Sequence, residues 1–307
     1  MELNSEFYFQ LEASAGPFYQ AMGKIAQSQA EQPPRHPLLQ VQSGRAESPA
    51  WYLVQAAEFD PEPLSVKTLR VRDIYASPAI AQGILEMLAA ERWLDRRGGA
   101  YHLTDLGRTV TTELLTRSQS LLAQVDVPAH IDLIRLESLL RSVIDASLGC
   151  KTPPGNWCLA HSRNRAPSDE EPVIVRLLHY FSDFNAFRDD AHMAAWQPKE
   201  VTGQQWETFA FIISGQANSA ESLFEQLSYR GYSVEDYAAA LSDLTERRWL
   251  LPKGDVYVAT EVGVAIHTQV ESLTDQYFYA PWLEALNERE LAETIELLRV
   301  LREEWPS

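Results

Sequence analysis

One feature constrains this chain more than any other: it repeats itself at long range. Residues 84–122 lie over residues 240–278 at a constant offset of 156 positions, with no gap. Leu85 meets Leu241 and Leu88 meets Leu244, and the triplet Arg92-Trp93-Leu94 meets Arg248-Trp249-Leu250. Tyr101 meets Tyr257, and Thr104 and Gly107 meet Thr260 and Gly263. Upstream the match reaches Ser77 against Ser233. Downstream it resumes with a two-residue shift, where Leu139-Leu140-Arg141 meets Leu297-Leu298-Arg299. A period this long, carried by the same apolar positions, predicts two similar compact units rather than a stack of short repeats.

Each unit reads as one supersecondary pattern. Ile80, Ile84, Leu85 and Leu88 keep helical spacing, and Ser77 is placed to cap that helix by accepting from a first-turn amide. A short strand around Trp93-Leu94, a Gly98-Gly99 turn and a second strand at Tyr101-His102-Leu103 follow. Thr104, like Thr260, is placed to cap the next helix. Residues 64–76 supply the helix and turn that precede the one beginning after Ser77. Helix, turn, helix, two-stranded ribbon and helix is the order of a winged helix-turn-helix.

The run from this helix through (R)WL, the turn and Tyr-x-(Leu/Ala)-Thr-x-x-Gly resembles the recognition helix, wing and following helix of the MarR family of transcription regulators. Residues 202–209, TGQQWETF, are similar to the helix that family places before its DNA-binding segment, and residues 286–298 to its last, dimer-forming helix. The similarity spans most of residues 202–302 and, more weakly, residues 51–143. It implies a mainly α protein with small β wings: tandem winged units plus dimerisation-type helices, arranged as a pseudo-dimer within one chain. It also implies double-stranded DNA as a partner and a pocket for a small aromatic ligand, for which Trp206, Phe209, Tyr237 and Tyr277 are the candidates. An aromatic core in place of aliphatic packing is the competing reading of those rings.

Charge bears directly on the DNA expectation. The 307 residues carry 26 Lys and Arg against 43 Asp and Glu, a net charge of −17. Duplex affinity comes largely from cations meeting phosphates, so such a chain must gather its positive charge locally. Residues 64–123 hold eight Lys/Arg against six Asp/Glu, whereas residues 220–279 hold four against ten. The second candidate recognition helix even begins Ser233-Val234-Glu235-Asp236. The first unit is therefore the candidate DNA reader. Ser77 and Gln82 would face the major groove, Arg96 and Arg97 in the wing would meet phosphates or the minor groove, and Lys67, Arg70 and Arg72 would meet the backbone. Gln82 is the one side chain of its turn able to make a bidentate base contact.

The order of the chain suggests an N-terminal winged domain over residues 1–148, a linker over 149–172 and a C-terminal winged domain over 173–307. The first opens with a helix over residues 7–25, its core candidates Phe9, Leu11, Phe18, Met22 and Ile25. Proline-rich breaks follow at residues 32–37 and 44–49, then a helix over 50–59. The linker holds four prolines, a basic patch (Lys151, His161, Arg163, Arg165) and then Asp169-Glu170-Glu171. Its Trp157 and Leu159 suggest a segment docked on a domain, and a basic loop with a tryptophan could also stack on nucleic acid. Residues 173–187 keep helical apolar spacing. His179, Asp183, Asp189, Asp190 and His192, with His161, could be assembled into a metal site, but the spacing matches no ligand motif, and capping or solvation suits the aspartates better.

No glycine-rich phosphate loop, G-x-S-x-G elbow or H-E-x-x-H pair occurs, so no catalytic residue and no cofactor is expected. Cys150 and Cys158 alone make neither a disulfide framework nor a four-cysteine zinc site, and no run approaches the ~20 apolar residues of a membrane helix. The N-terminus lacks a basic start followed by an apolar core. These features describe a cytoplasmic protein without membrane contact. Two functions lead, a DNA-binding, ligand-responsive regulator of transcription and then a winged-helix scaffold that contacts proteins or senses a small molecule without binding DNA. An enzyme or metal-dependent protein centred on His179, Asp183, Asp189, Asp190 and His192 is a third reading behind them.

Overall fold

The computed structural model describes residues 3–28, 49–151 and 154–305. The expected break at residues 32–37 lies outside them, as does that at 44–49 but for Pro49, which begins a helix. The chain opens with α1 (Ser5–Ala13) and α2 (Gly16–Ser28) where the sequence predicts one helix. The break falls at Ser14-Ala15, just ahead of Pro17, whose missing N–H is tolerated in a first helical turn but not inside a helix. Of the expected core residues, Leu11 and Phe18 are buried, but Phe9 is 63% exposed and its place is taken by Phe7.

A first unit follows as α3 (Pro49–Glu58), α4 (Val66–Arg72), α5 (Pro78–Ala90), β1 (Leu94–Arg97), β2 (Ala100–Leu103), α6 (Asp105–Leu122) and α7 (Leu133–Leu148). After α8 (Trp157–Arg163) and α9 (Val173–Trp196) comes a series in the same order. It comprises α10 (Gly203–Ile213), α11 (Ala220–Leu227), α12 (Val234–Glu246), β3 (Leu250–Lys253), β4 (Val256–Ala259), α13 (Glu261–Ala285) and α14 (Glu288–Glu303). The protein is thus mainly helical, with two antiparallel hairpins, Leu94 facing Leu103 in one and Leu250 facing Ala259 in the other. No helix among the described residues is long and apolar enough to cross a membrane.

The caps expected from sequence are present. Ser77 Oγ accepts from Ile80 N at 3.1 Å, and Ser233 Oγ accepts from Asp236 N at 3.1 Å. The passage from wing to helix is the same in both units. Thr104 Oγ accepts from Gly107 N at 3.0 Å and donates to Arg92 O at 2.7 Å; Thr260 Oγ accepts from Gly263 N at 3.0 Å and donates to Arg248 O at 2.6 Å. Arg92 and Arg248 both take left-handed φ, 59° and 61°, which turns the chain from helix into strand. The two glycines are sterically required: a Cβ on Gly107 would lie 2.3 Å from Trp93 O, and one on Gly263 would lie 2.2 Å from Trp249 O.

Three cores hold these elements. One lies within the first unit around Leu53, Leu85, Leu88 and Trp93, and one within the second around Trp206, Phe209, Leu241 and Leu244. The third is a helical core assembled from both ends of the chain: Phe7 and Phe18 pack with Leu136 and Leu140 of α7, Leu177 and Phe184 of α9, Phe278 and Trp282 of α13, and Leu298 of α14. Helix α9 runs nine residues beyond the predicted end at Phe187. The expected linker is in large part structured, since α8 buries Cys158 and Leu159 completely.

Candidate functional site

The two helix-turn-helix segments present the surface that a DNA reader would turn to the duplex. In each unit the outward stripe of the second helix falls at matching positions. On α5 it carries Pro78, Ala79, Gln82, Gly83 and Glu86; on α12 it carries Val234, Glu235, Ala238, Ala239 and Ser242. Neither stripe holds a lysine or arginine, and the charges present are carboxylates. Gln82, the expected base reader, is held at home: its Nε2 donates to Glu86 Oε1 at 2.6 Å and to the Tyr101 hydroxyl at 2.9 Å.

The beginning of α5 is not free either. Ser77, a candidate groove contact, is 3% exposed, and its backbone N–H donates to Arg230 O at 2.8 Å, in the turn between α11 and α12 of the other unit. Gly231, at φ 74°, packs so closely there that a Cβ would lie 2.1 Å from Ile80 Cγ1 and 2.8 Å from Ser77 Oγ. Tyr232 OH reaches Ala76 O at 3.4 Å. Arg230 itself bridges the units: Nη1 meets Asp73 Oδ1 at 2.7 Å, and Nη2 meets Glu207 Oε1 at 2.8 Å. Burial pushes Glu207 up to about 7 against the opposing pull of Arg230, and burial likewise raises Asp73. A second close approach sits beside it, where a Cβ on Gly203 would lie 2.4 Å from Ile74 O. The two helix-turn-helix segments therefore meet at their turns in a tightly packed joint.

The other candidate DNA contacts divide. Lys67 is exposed, as are Arg96 and Arg97 in the first wing; Arg96 lies over the Tyr101 ring at 5.8 Å and Arg97 pairs with Asp95 at 2.8 Å. Arg70 is taken up locally, its Nε donating to Ala76 O at 2.8 Å. Arg72 is interior. Its side chain is 9% exposed and donates to Glu58 Oε2 at 3.1 Å, Gln55 Oε1 at 3.2 Å and Asp189 Oδ2 at 3.3 Å, so it is a structural ion pair rather than a phosphate contact. Arg165 pairs with the same buried Glu58, and Asn164 Nδ2 donates to Glu58 O at 2.7 Å, which fastens the α8–α9 connection to the first unit.

The expected pocket residues are packed. Trp206, Phe209 and Tyr237 are at most 2% exposed and build the second unit's core, and Tyr277 lies between that core and the helical one. Trp206 stacks near Trp196 at 6.3 Å and near His267 at 5.9 Å, and its indole N–H donates to His192 Nε2 at 3.1 Å. That fixes the His192 proton on Nδ1, which faces the Tyr75 hydroxyl at 3.3 Å. Burial, reinforced by the charges of Arg188 and His267, pushes His192 down to about 4, so it stays neutral.

His192, Asp189 and Asp190 do not converge. Asp189 goes to Arg72, whereas Asp190 accepts from the Cys158 and Leu159 amides at 2.8 and 3.1 Å, as a cap for α8. Asp183 is fully buried and takes Ser162 Oγ at 2.8 Å and Arg163 Nη1 at 2.9 Å. Among the described residues no group of three or more metal-ligating side chains comes together. Sequence reasoning missed Arg230, Glu207 and Gly231. Arg230 and Gly231 act across more than a hundred residues and Glu207 reaches Arg230 across 23, and the one local signal was a glycine placed between two helices.

Comparison with known proteins agrees with this class of fold. The chain belongs to a helix-turn-helix family, whose profile matches residues 115–305. The match begins inside α6 and takes in the second unit and the parts of the helical core that α7, α9, α13 and α14 supply. No curated protein and no solved structure matched the chain.

Proposed function

We propose that this is a winged helix-turn-helix regulator of MarR-like architecture, folded as an intrachain pseudo-dimer from two diverged copies, that acts through protein contacts rather than by reading base sequence, and without catalysis. The constant 156-residue offset and the matching Thr104 and Thr260 caps support the duplication. The helical core shared by α7, α9, α13 and α14 stands where two subunits of a dimer would meet. A single observation carries the choice against base reading: the outward stripes of α5 and α12 hold no cation, and Glu86 and Glu235 stand where phosphates and base edges would approach. Winged helices serve as interaction modules as readily as DNA readers.

A second reading has its own support. Lys67, Arg96 and Arg97 are exposed on the first unit and could hold a duplex by its backbone alone. Fluorescence anisotropy against a random labelled duplex, at low and moderate salt, separates the two. No saturable binding by the full chain is expected at low salt. Binding that weakens steeply with salt and falls in Arg96→Ala/Arg97→Ala would overturn it in favour of backbone contact through the first wing.

A further inference from the structure

The helical core holds a feature that the winged units leave unused. A cleft of ≈ 170 Å³ opens between α7, α8 and α9, and three guanidinium groups, Arg141, Arg163 and Arg176, line it beside Tyr180. Two of their counter-ions are fixed. Glu137, its side chain 10% exposed, takes Arg141 Nη2 at 2.8 Å and Arg176 Nε at 3.1 Å; fully buried Asp183 takes Arg163 Nη1 at 2.9 Å. The third counter-ion differs in kind. Asp169 meets Arg141 Nη2 at 2.7 Å, but its side chain is 80% exposed and it sits on the connection between α8 and α9. Arg141 Nη1, Arg163 Nη2 and Arg176 Nη2 have no protein hydrogen-bond partner among the described residues.

We propose that this cleft binds a small oxyanion, a carboxylate or a phosphate, whose oxygens replace the Asp169 carboxylate on Arg141 and reach the open guanidinium nitrogens of Arg163 and Arg176. Planar guanidinium forks suit such oxygens, and Asp169 already shows Arg141 accepting a carboxylate from the cleft side. With Asp169 withdrawn, three arginines face two fixed carboxylates. Asp145 opposes the anion from the rim, where it is exposed and screened by solvent. A volume of ≈ 170 Å³ is that of roughly five or six waters, room for inorganic phosphate or a four-carbon dicarboxylate. The segment that carries Asp169 is anchored at its other end on the first winged unit through Asn164, Arg165 and Glu58. An occupant that displaces the Asp169 carboxylate therefore frees that side chain's hold on α7, while Arg176 Nη1 still holds the Asp169 and Glu171 carbonyls.

Isothermal titration of the full chain at low ionic strength, with inorganic phosphate in one arm and succinate in the other, tests this. Saturable binding of either is expected, phosphate alone marking a tetrahedral anion and succinate alone a carboxylate. Asp169→Asn removes the competing carboxylate at an exposed position, so it leaves the fold intact and tightens binding roughly two- to fivefold, as loss of an exposed ion pair would. Arg141→Met abolishes binding. The proposal is overturned if neither anion binds at millimolar concentration, or if Asp169→Asn leaves the affinity unchanged.

Discussion

Arg230→Met tests the joint between the two units. Methionine keeps an apolar stem against the rings of Tyr75 and Tyr229, which the guanidinium now covers at 5.4 and 4.8 Å, and removes the charge with its hydrogen bonds to Asp73 and Glu207. It leaves Asp73 and Glu207, 14% and 10% exposed, with no cation between them. Stripping one partner from a buried pair costs ~3–5 kcal/mol when the remaining charge has no escape. Here it has one, because Glu207 already sits at about 7 and can take up a proton. A carboxyl whose folded pKa lies above its unfolded value favours the fold at low pH and loses that contribution as pH rises through the folded pKa. The variant should thus lose about 3 kcal/mol near pH 6 and about 4 kcal/mol near pH 8, because wild-type Glu207 itself titrates across that window and one retained proton changes the difference by at most ~1.4 kcal/mol. Urea unfolding followed by tryptophan fluorescence gives both values. A loss below ~0.5 kcal/mol, or one that does not change with pH, would refute the bridging role of Arg230.

Two further predictions concern the interior. Gly107→Ala and Gly263→Ala should each destabilise by about 2–3 kcal/mol, since the new methyl meets a backbone carbonyl that cannot swing away. Gly83→Ala, with open space around its Cβ on exposed α5, should instead stabilise by ~0.5–1 kcal/mol, and thermal melts of the three variants check the contrast. His192 makes the fold acid-sensitive. Its folded pKa of about 4 lies below the ordinary 6.5, so the unfolded chain binds a proton that the folded one refuses, and stability falls as pH drops from 6.5 towards 4. The loss approaches ~3 kcal/mol at the bottom of that window, and His192→Gln should flatten this part of the stability profile measured by denaturant titration.

The parts of this structure that local chemistry decides were legible in the sequence. Ser77, Thr104, Ser233 and Thr260 cap the helices they precede because a hydroxyl ahead of an apolar-periodic run has a nearby amide to satisfy. The hairpins fall at the expected Trp-Leu positions and turn at Gly98-Gly99 and Gly254. What local pattern could not supply was where charges end up. Arg72 looks like any helix-surface cation in sequence, yet Glu58 and Asp189 draw it inside. Arg230 and Glu207 are 23 residues apart, and Asp73, the third member, lies 157 residues from Arg230. Aromatic residues gave a similar ambiguity. Trp206, Phe209 and Tyr237 suit a ligand pocket and a packed core equally well until their neighbours are known, and Trp196, His192 and His267 fill the space around Trp206. The docking that Trp157 and Leu159 suggested has a cause no local pattern shows: Asp190, one turn into the second half of α9, reaches back to cap α8 within the proline-rich stretch.

The joint also explains how a helix-turn-helix chain can carry so much negative charge. In a dimer that straddles a duplex, both recognition helices point to half-sites and must leave their starts open. Here the start of α5 donates its N-cap amide to the opposite unit, and the stripe left outward on either helix is neutral or acidic. On the proposed function, through protein contacts rather than groove reading, neither stripe requires lysine or arginine.

The Ser77 amide reports on that joint most directly. In a free winged unit an N-cap N–H lies ahead of the helix, with no carbonyl to receive it, and exchanges quickly. Here it donates to Arg230 O at 2.8 Å inside a buried contact. Amide hydrogen exchange resolved at Ser77 should therefore show protection comparable to the core amides of Leu85 and Leu88, lost together with the joint in Arg230→Met. Exchange at Ser77 near the rate of an unstructured peptide, with α5 itself still protected, would contradict the locked arrangement of the two units.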